Sequence, residues 1–159
     1  MQPKIINKGK RFITGLSGNG TDTGKVWNDF DNRFKTKSFV KADDFGYEIR
    51  FWQSRKTGKI PDSEKNVHVG FLTERTLNAD GFSTIELPTT EYAVFDVFVA
   101  KGYDSRNEEM ENWIADNSTI YGVREFGGFE YVIECYNEKF KDGSQPDSIV
   151  EIWIPIIKI

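Results

Sequence analysis

The order strand, helix, strand, strand runs through this 159-residue chain twice, and few folds accommodate that repetition. In the first copy, residues 10–16 carry Phe12, Ile13 and Leu16 and predict a strand. Ser17-Gly18-Asn19-Gly20 is loop-forming, and Thr21-Asp22-Thr23 offers helix N-caps. Over 24–37, Val26, Trp27, Phe30 and Phe34 recur at helical spacing, with Asp29, Asp31, Arg33 and Lys35 between them. Residues 47–54 then alternate: Tyr47, Ile49 and Phe51 share one face, and Glu48, Arg50 and Trp52 share the other. After a turn at 56–62, residues 66–75 place Val67, Val69 and Phe71 on one side, and the two strands predict a hairpin.

The second copy follows a short extended piece, 84–87, which Pro88 ends. Residues 91–100 are rich in Tyr, Val and Phe and predict a strand. Ser105-x-x-Glu108 reads as a capping box opening a helix that carries Met110, Trp113 and Ile114. Gly127-Gly128 breaks the chain before a strand at 129–136, and a turn at 142–147 precedes a last strand at 149–157. Phe12 corresponds to Tyr92 and Phe51 to Glu134, with little residue identity between the copies. The pattern predicts one α+β domain over 1–159. Two pseudo-repeated β-α-β-β units would form one curved antiparallel sheet with two helices packed on it. A central ligand groove is expected on the pseudo-twofold axis.

Composition narrows the partners. Lys plus Arg number 21 against 25 Asp plus Glu, a formal charge of −4, which argues against a nucleic-acid partner. A single cysteine, Cys135, excludes a disulfide within the chain. No apolar stretch approaches the roughly 20 residues that span a bilayer, so no membrane partner is expected. Met1-Gln2-Pro3-Lys4-Ile5-Ile6-Asn7 lacks the apolar core of a signal peptide, and a cytoplasmic setting is the expectation. Aromatic residues make up 14% of the chain. They serve a core or the wall of a cavity equally well.

Three C-terminal segments carry a resemblance. Leu87-Pro88-Thr89-Thr90-Glu91-Tyr92-Ala93-Val94-Phe95 resembles the "lpxxxYAvf" strand of the GyrI-like, AraC-type effector-binding domains. Val132-Ile133-Glu134-Cys135-Tyr136 is similar to their "fExY" strand, and Glu151-Ile152-Trp153-Ile154-Pro155-Ile156 to their closing "eiwiPi" strand. The N-terminal half matches in element order and in the helix Val26-Trp27-Asn28-Asp29-Phe30. The glycine-containing segment that usually follows "YAvf" is altered here to Asp96-Val97-Phe98-Val99-Ala100-Lys101-Gly102. The resemblance implies a stand-alone multidrug-binding domain that holds lipophilic, cationic small molecules between aromatic walls and a buried glutamate.

Glu134 lies between Ile133 and Cys135 and shares its face with Val132 and Tyr136. A buried carboxylate without a partner is costly and tends to protonate. Lys139, Arg50 or Arg124 would satisfy it from within, and a ligand cation would satisfy it from without. The residues alone leave both open, and the resemblance implies the second. Trp153 shares a face with Glu151 and Pro155, while Ile152, Ile154 and Ile156 are expected to meet the helices. Trp153 is therefore expected to look into the groove, as is Trp52 beside Arg50. Tyr92 and Tyr136 are candidate rim hydroxyls, and Tyr47 is a further one. Trp27, Phe30, Phe34, Met110 and Trp113 fit a core.

His68, the one histidine, reads as a hydrogen-bonded structural residue, and Cys135 as a small buried hydrophobe pointing away from Glu134. Gly15-x-x-Gly18-x-Gly20 lacks the Lys-Ser/Thr of a phosphate loop, and no cofactor or metal is expected. The resemblance also implies two alternatives: hydrolysis of reactive drug-like compounds, with Glu134 positioning or activating water, and protein inhibition of the gyrase-inhibitor type. Exposed edge strands suit either a monomer or a homodimer.

Overall fold

Two short strands begin the computed structural model, which describes residues 2–159: β1 (Lys4–Lys8) and β2 (Arg11–Gly18). Helix α1 (Thr23–Thr36) follows, then β3 (Gly46–Trp52), β4 (Val67–Thr73) and β5 (Ser83–Leu87). The second copy comprises β6 (Thr90–Phe98), α2 (Asp104–Asp116), two short strands β7 (Tyr121–Val123) and β8 (Glu125–Phe126), then β9 (Phe129–Tyr136) and β10 (Ile149–Lys158). The sheet order is β1-β6-β10-β9-β3-β4-β2-β5, with β7 on β10 and β8 on β9, and all pairings are antiparallel. Its centre is the β9·β3 pair, where Glu134 faces Glu48 and Ile133 faces Ile49. About that line the order is symmetric: β6-β10-β9 on one side mirrors β2-β4-β3 on the other. This is the twofold repetition read in the sequence.

The strands before each copy are exchanged. β1 pairs with β6, the first strand of the second copy, whereas β5 pairs with β2 of the first. Lys8 and Arg11 are three Cα steps apart, at most about 10 Å of chain, yet β1 and β2 lie near opposite ends of the strand order. The sheet therefore curls until its ends face each other. The inside of the curl is one apolar cluster drawn from both ends and the middle, including Ile13, Ile49, Leu87, Tyr92, Ile133 and Trp153. The helices cover the outside. Val26 and Phe30 of α1 pack on Val67 and Val69, while Met110 and Trp113 of α2 pack on Phe95, Ile152 and Ile154.

Local chemistry explains most boundaries. Asp22 caps α1, its Oδ1 accepting the Lys25 amide at 3.2 Å. Asp22→Ala is expected to cost about 1 kcal/mol of stability, read as a lower urea midpoint with an unchanged slope. Phe30 is fully buried, with Phe34, Phe39, Phe71 and Phe82 at ring-centroid distances between 5.0 and 6.4 Å. Gly127 (φ 62°) and Gly128 (φ 89°) form the two-residue hairpin joining β8 to β9, a backbone that side-chain-bearing residues resist. Gly15 and Gly70 face each other across β2 and β4, where a Cβ on Gly15 would lie 1.7 Å from the Val69 carbonyl oxygen.

Two features carry no local signal, and one expectation needs correction. β1 is a strand that the polar segment Lys4-Ile5-Ile6-Asn7-Lys8 did not announce, because it is an edge strand whose residues are largely exposed. The exchange of β1 and β5 was not foreseen either. Ser105 does not cap α2: the helix starts at Asp104, the cap position falls on Tyr103, and no side chain caps there.

Candidate ligand-binding site

A cavity of about 660 Å3 opens on the outer face of the sheet, between the two helices and over the β3·β9 seam. Strand alternation sends Glu48, Arg50 and Trp52 of β3 outward, together with Glu130, Val132, Glu134 and Tyr136 of β9. Register makes three rungs of them: Glu48 with Glu134, Arg50 with Val132, and Trp52 with Glu130. Tyr103, Met110 and Ile114 form the α2 wall, and Ile152 and Ile154 extend the apolar floor.

At the first rung two buried carboxylates share one guanidinium. Glu48 is 2% exposed and Glu134 8%. Arg50 donates from Nη2 to Glu48 at 3.0 Å and from Nε to Glu134 at 3.2 Å, and its Nη1 donates to the Gly20 carbonyl at 3.3 Å. The Trp27 indole donates to the other Glu48 oxygen at 2.9 Å, and the Tyr136 hydroxyl to the other Glu134 oxygen at 3.1 Å. Burial, reinforced by repulsion from Glu48, pushes the Glu134 carboxyl up to about 7, against the pull of Arg50 and Tyr136. The Tyr103 phenol rises to about 12 through burial first and the Glu134 and Glu48 charges second. Tyr136 is raised by burial and Glu134. Burial opposes the charge on Arg50, but the two glutamates outweigh it and hold it protonated.

The third rung has its own ion group. Arg55 donates from Nε to Glu130 at 2.9 Å and from Nη2 to Glu111 of α2 at 2.8 Å, and its backbone amide donates to Glu130 at 3.0 Å. Trp52 stands beside Glu130 and is 51% exposed.

Of the residues singled out in the sequence, Glu134, Tyr136 and Trp52 line this cavity together. Trp153, Tyr92 and Tyr47 do not: they lie buried inside the curl, on the opposite face of the sheet. There the Trp153 indole donates to Glu151 at 2.9 Å, and the Tyr92 and Tyr47 rings pack on Trp153 at 5.5 and 6.4 Å. The Tyr47 hydroxyl donates to Asp43. The expectation that groove and helices occupy opposite faces fails because both sides of β10 are apolar. Ile152 and Ile154 meet α2 and also line the cavity.

Among the three internal partners considered for Glu134, Arg50 is the one that pairs with it, and Lys139 pairs with Asp96 and Glu151 instead. Glu48, Glu130, Arg55 and Tyr103 were not anticipated, and Trp27 is more than core because it holds Glu48. The Glu48-x-Arg50-x-Trp52 alternation was the signal for the first of these.

His68 is fully buried. Its Nδ1 meets the Ser17 hydroxyl at 2.9 Å and its Nε2 the Ile13 carbonyl at 3.0 Å, and burial lowers it to about 4. The Cys135 thiol faces inside the curl, and burial together with the Glu151 charge pushes it up to about 12. No group of three or more metal-capable side chains occurs among the described residues. No described helix is long and apolar enough to cross a membrane.

A strongly curled antiparallel sheet carrying two helices is the architecture of the GyrI-like effector-binding domains. The chain belongs to the Cass2 family of integron-associated effector binding proteins, whose profile matches residues 5–156. No curated protein sequence matches it. Solved structures share the fold at low identity. SAV2435 bound to tetraphenylphosphonium aligns with a TM-score of 0.61 at 15% identity, over 99% of this chain and 94% of that one. The EcmrR C-terminal domain gives 0.63 at 10% identity, covering 99% and 98%. The integron cassette protein from the mobile metagenome of Vibrio cholerae gives 0.54 at 14% identity, covering 99% and 97%.

Proposed function

We propose that this chain binds a lipophilic, cationic small molecule in the cavity between its helices. Glu134 and Glu48 serve as counter-charge, and Trp52, Tyr136 and Tyr103 as aromatic wall. The observation that carries the reading is the charge count at the first rung: two buried carboxylates share a single guanidinium at the foot of an open cavity. A group of that kind attracts a cation strongly where water is largely excluded. Flat rings then hold ligands of varied outline by stacking and through their quadrupoles. The tetraphenylphosphonium bound to SAV2435 supports the choice of ligand class.

Calorimetric titration with tetraphenylphosphonium tests the reading. One saturable site per chain is expected, and the absence of both heat and a shift in melting temperature would refute it. Trp52→Ala is expected to weaken binding by 0.5–2 kcal/mol, about two- to thirtyfold, whereas Trp153→Phe, on the far face, should leave affinity within about twofold. Glu134 near neutrality is also suited to proton transfer. Turnover of a reactive ester or epoxide that Glu134→Gln abolishes would favour a hydrolase on this site instead.

A further inference from the structure

The Arg50 guanidinium makes three contacts at the first rung: Glu48 through Nη2, Glu134 through Nε, and the Gly20 carbonyl, just ahead of α1, through Nη1. Among the described residues it is the cation paired with either carboxylate. The other groups facing them are neutral donors or rings: the Trp27 indole from α1, the Tyr136 hydroxyl from β9 and the Tyr103 ring ahead of α2. Two carboxylates against one guanidinium leave one negative charge. The next ion group, Arg55 with the buried Glu130 and the solvent-exposed Glu111, is centred four residues along β9, roughly 13 Å away at strand spacing, and water screens its surplus charge. A compact ligand held at Glu134 cannot place a second charge there.

Resting on the cation-binding reading above, we propose that Arg50 sets the charge of the ligand. It leaves room for one positive charge at the first rung, so the cavity selects monocations and disfavours dications of the same shape. Arg50 is thus a specificity-determining residue. A second ligand charge close to the first meets the guanidinium with no carboxylate left to neutralise it. Removing the guanidinium removes that repulsion, so the second charge of a dication is no longer opposed at the first rung.

Two probes with the same two-ring frame isolate charge from shape: 1-methyl-4-phenylpyridinium, with one positive charge, and 1,1′-dimethyl-4,4′-bipyridinium, with two. Calorimetry at pH 8 gives the ratio of their affinities, and tetraphenylphosphonium serves as reference. The unmodified protein is expected to favour the monocation at least about tenfold. Arg50→Gln should move the ratio at least about tenfold toward the dication, and Arg50→Lys should keep the original preference. Equal or tighter binding of the dication by the unmodified protein overturns the proposal without any variant having to fold. So does an unchanged ratio in an Arg50→Gln protein that still melts cooperatively. Binding of tetraphenylphosphonium without preference between the two probes sinks this inference alone. Failure of all three compounds to bind sinks it together with the reading on which it rests.

Discussion

Glu134→Gln is expected to weaken tetraphenylphosphonium binding by about ten- to a hundredfold at pH 8, with the fold intact. At that pH the unmodified first rung holds two ionised glutamates and one arginine, and its net charge is negative. Glutamine is nearly isosteric, so the cavity keeps its shape while that charge disappears. A unit charge at about 5 Å in surroundings of effective dielectric 20 is worth roughly 3 kcal/mol, and partial exposure of the cavity mouth reduces this to about 1.5–3 kcal/mol, which sets the range. Glu130→Gln is the matched control: it removes a carboxylate from the far rung of the same cavity, where the side chain and the backbone amide of Arg55 both hold Glu130 and the second carboxylate, Glu111, stands in solvent. Its expected effect is less than about threefold. Calorimetry on the two variants decides the matter. Equal losses would mean that the cavity attracts cations diffusely and that the paired glutamates have no special place. No loss in either would remove charge from the account of binding altogether.

The central strands show what a sequence makes legible. Residues 129–136 read as a strand from composition alone, and the helical recurrence of Val26, Phe30 and Phe34 marked α1 because side chains three and four apart must share a face. Glu134 was visible for a related reason: a carboxylate amid Val132, Ile133 and Cys135 is out of place unless something answers it. Which face it looks into was not visible. Alternation divides β10 into Ile152, Ile154 and Ile156 against Trp153 and Pro155, but both sets are apolar, as befits a strand buried on both sides. The rule that polar residues face outward then decides nothing. The larger Trp153 ring drew attention, while the isoleucines formed the cavity floor.

Placing the cavity required the curl of the sheet, and the curl comes from pairings between distant segments. The exchange of β1 and β5 between the copies joins residues 4–8 to 90–94 and residues 11–15 to 83–87. No local signal announces either. The Glu48–Glu134 rung is likewise a long-range pairing. Glu48, on the polar-aromatic face of β3, becomes half of a buried acid pair once β9 lies beside it.

Unliganded protein should lose stability as pH rises from about 4.5 to about 7, opposite to the usual behaviour of a buried, salt-bridged carboxylate. The cause is the direction of the Glu134 shift. Its carboxyl stands at about 7 in the folded chain against an ordinary 4.5, because burial and the Glu48 charge disfavour ionisation more than Arg50 and Tyr136 favour it. The native state therefore holds the proton more tightly than the unfolded chain. That preference is fully present below about pH 4.5, declines between 4.5 and 7, and is gone above it. Glu134→Gln cannot ionise, and its amide can donate to Glu48. It is expected to match the unmodified protein near pH 4.5 and to exceed it by roughly 2–3 kcal/mol above pH 7.5. A bound cation should abolish the difference by lowering the Glu134 value, and its own affinity should fall about tenfold per unit as pH drops below 7, with up to one proton released on binding. Urea unfolding at half-unit intervals from pH 4.5 to 8.5, with and without tetraphenylphosphonium, reads both effects. Parallel stability curves for the two proteins across that range would show that Glu134 is ionised throughout and that Arg50 alone satisfies the pair.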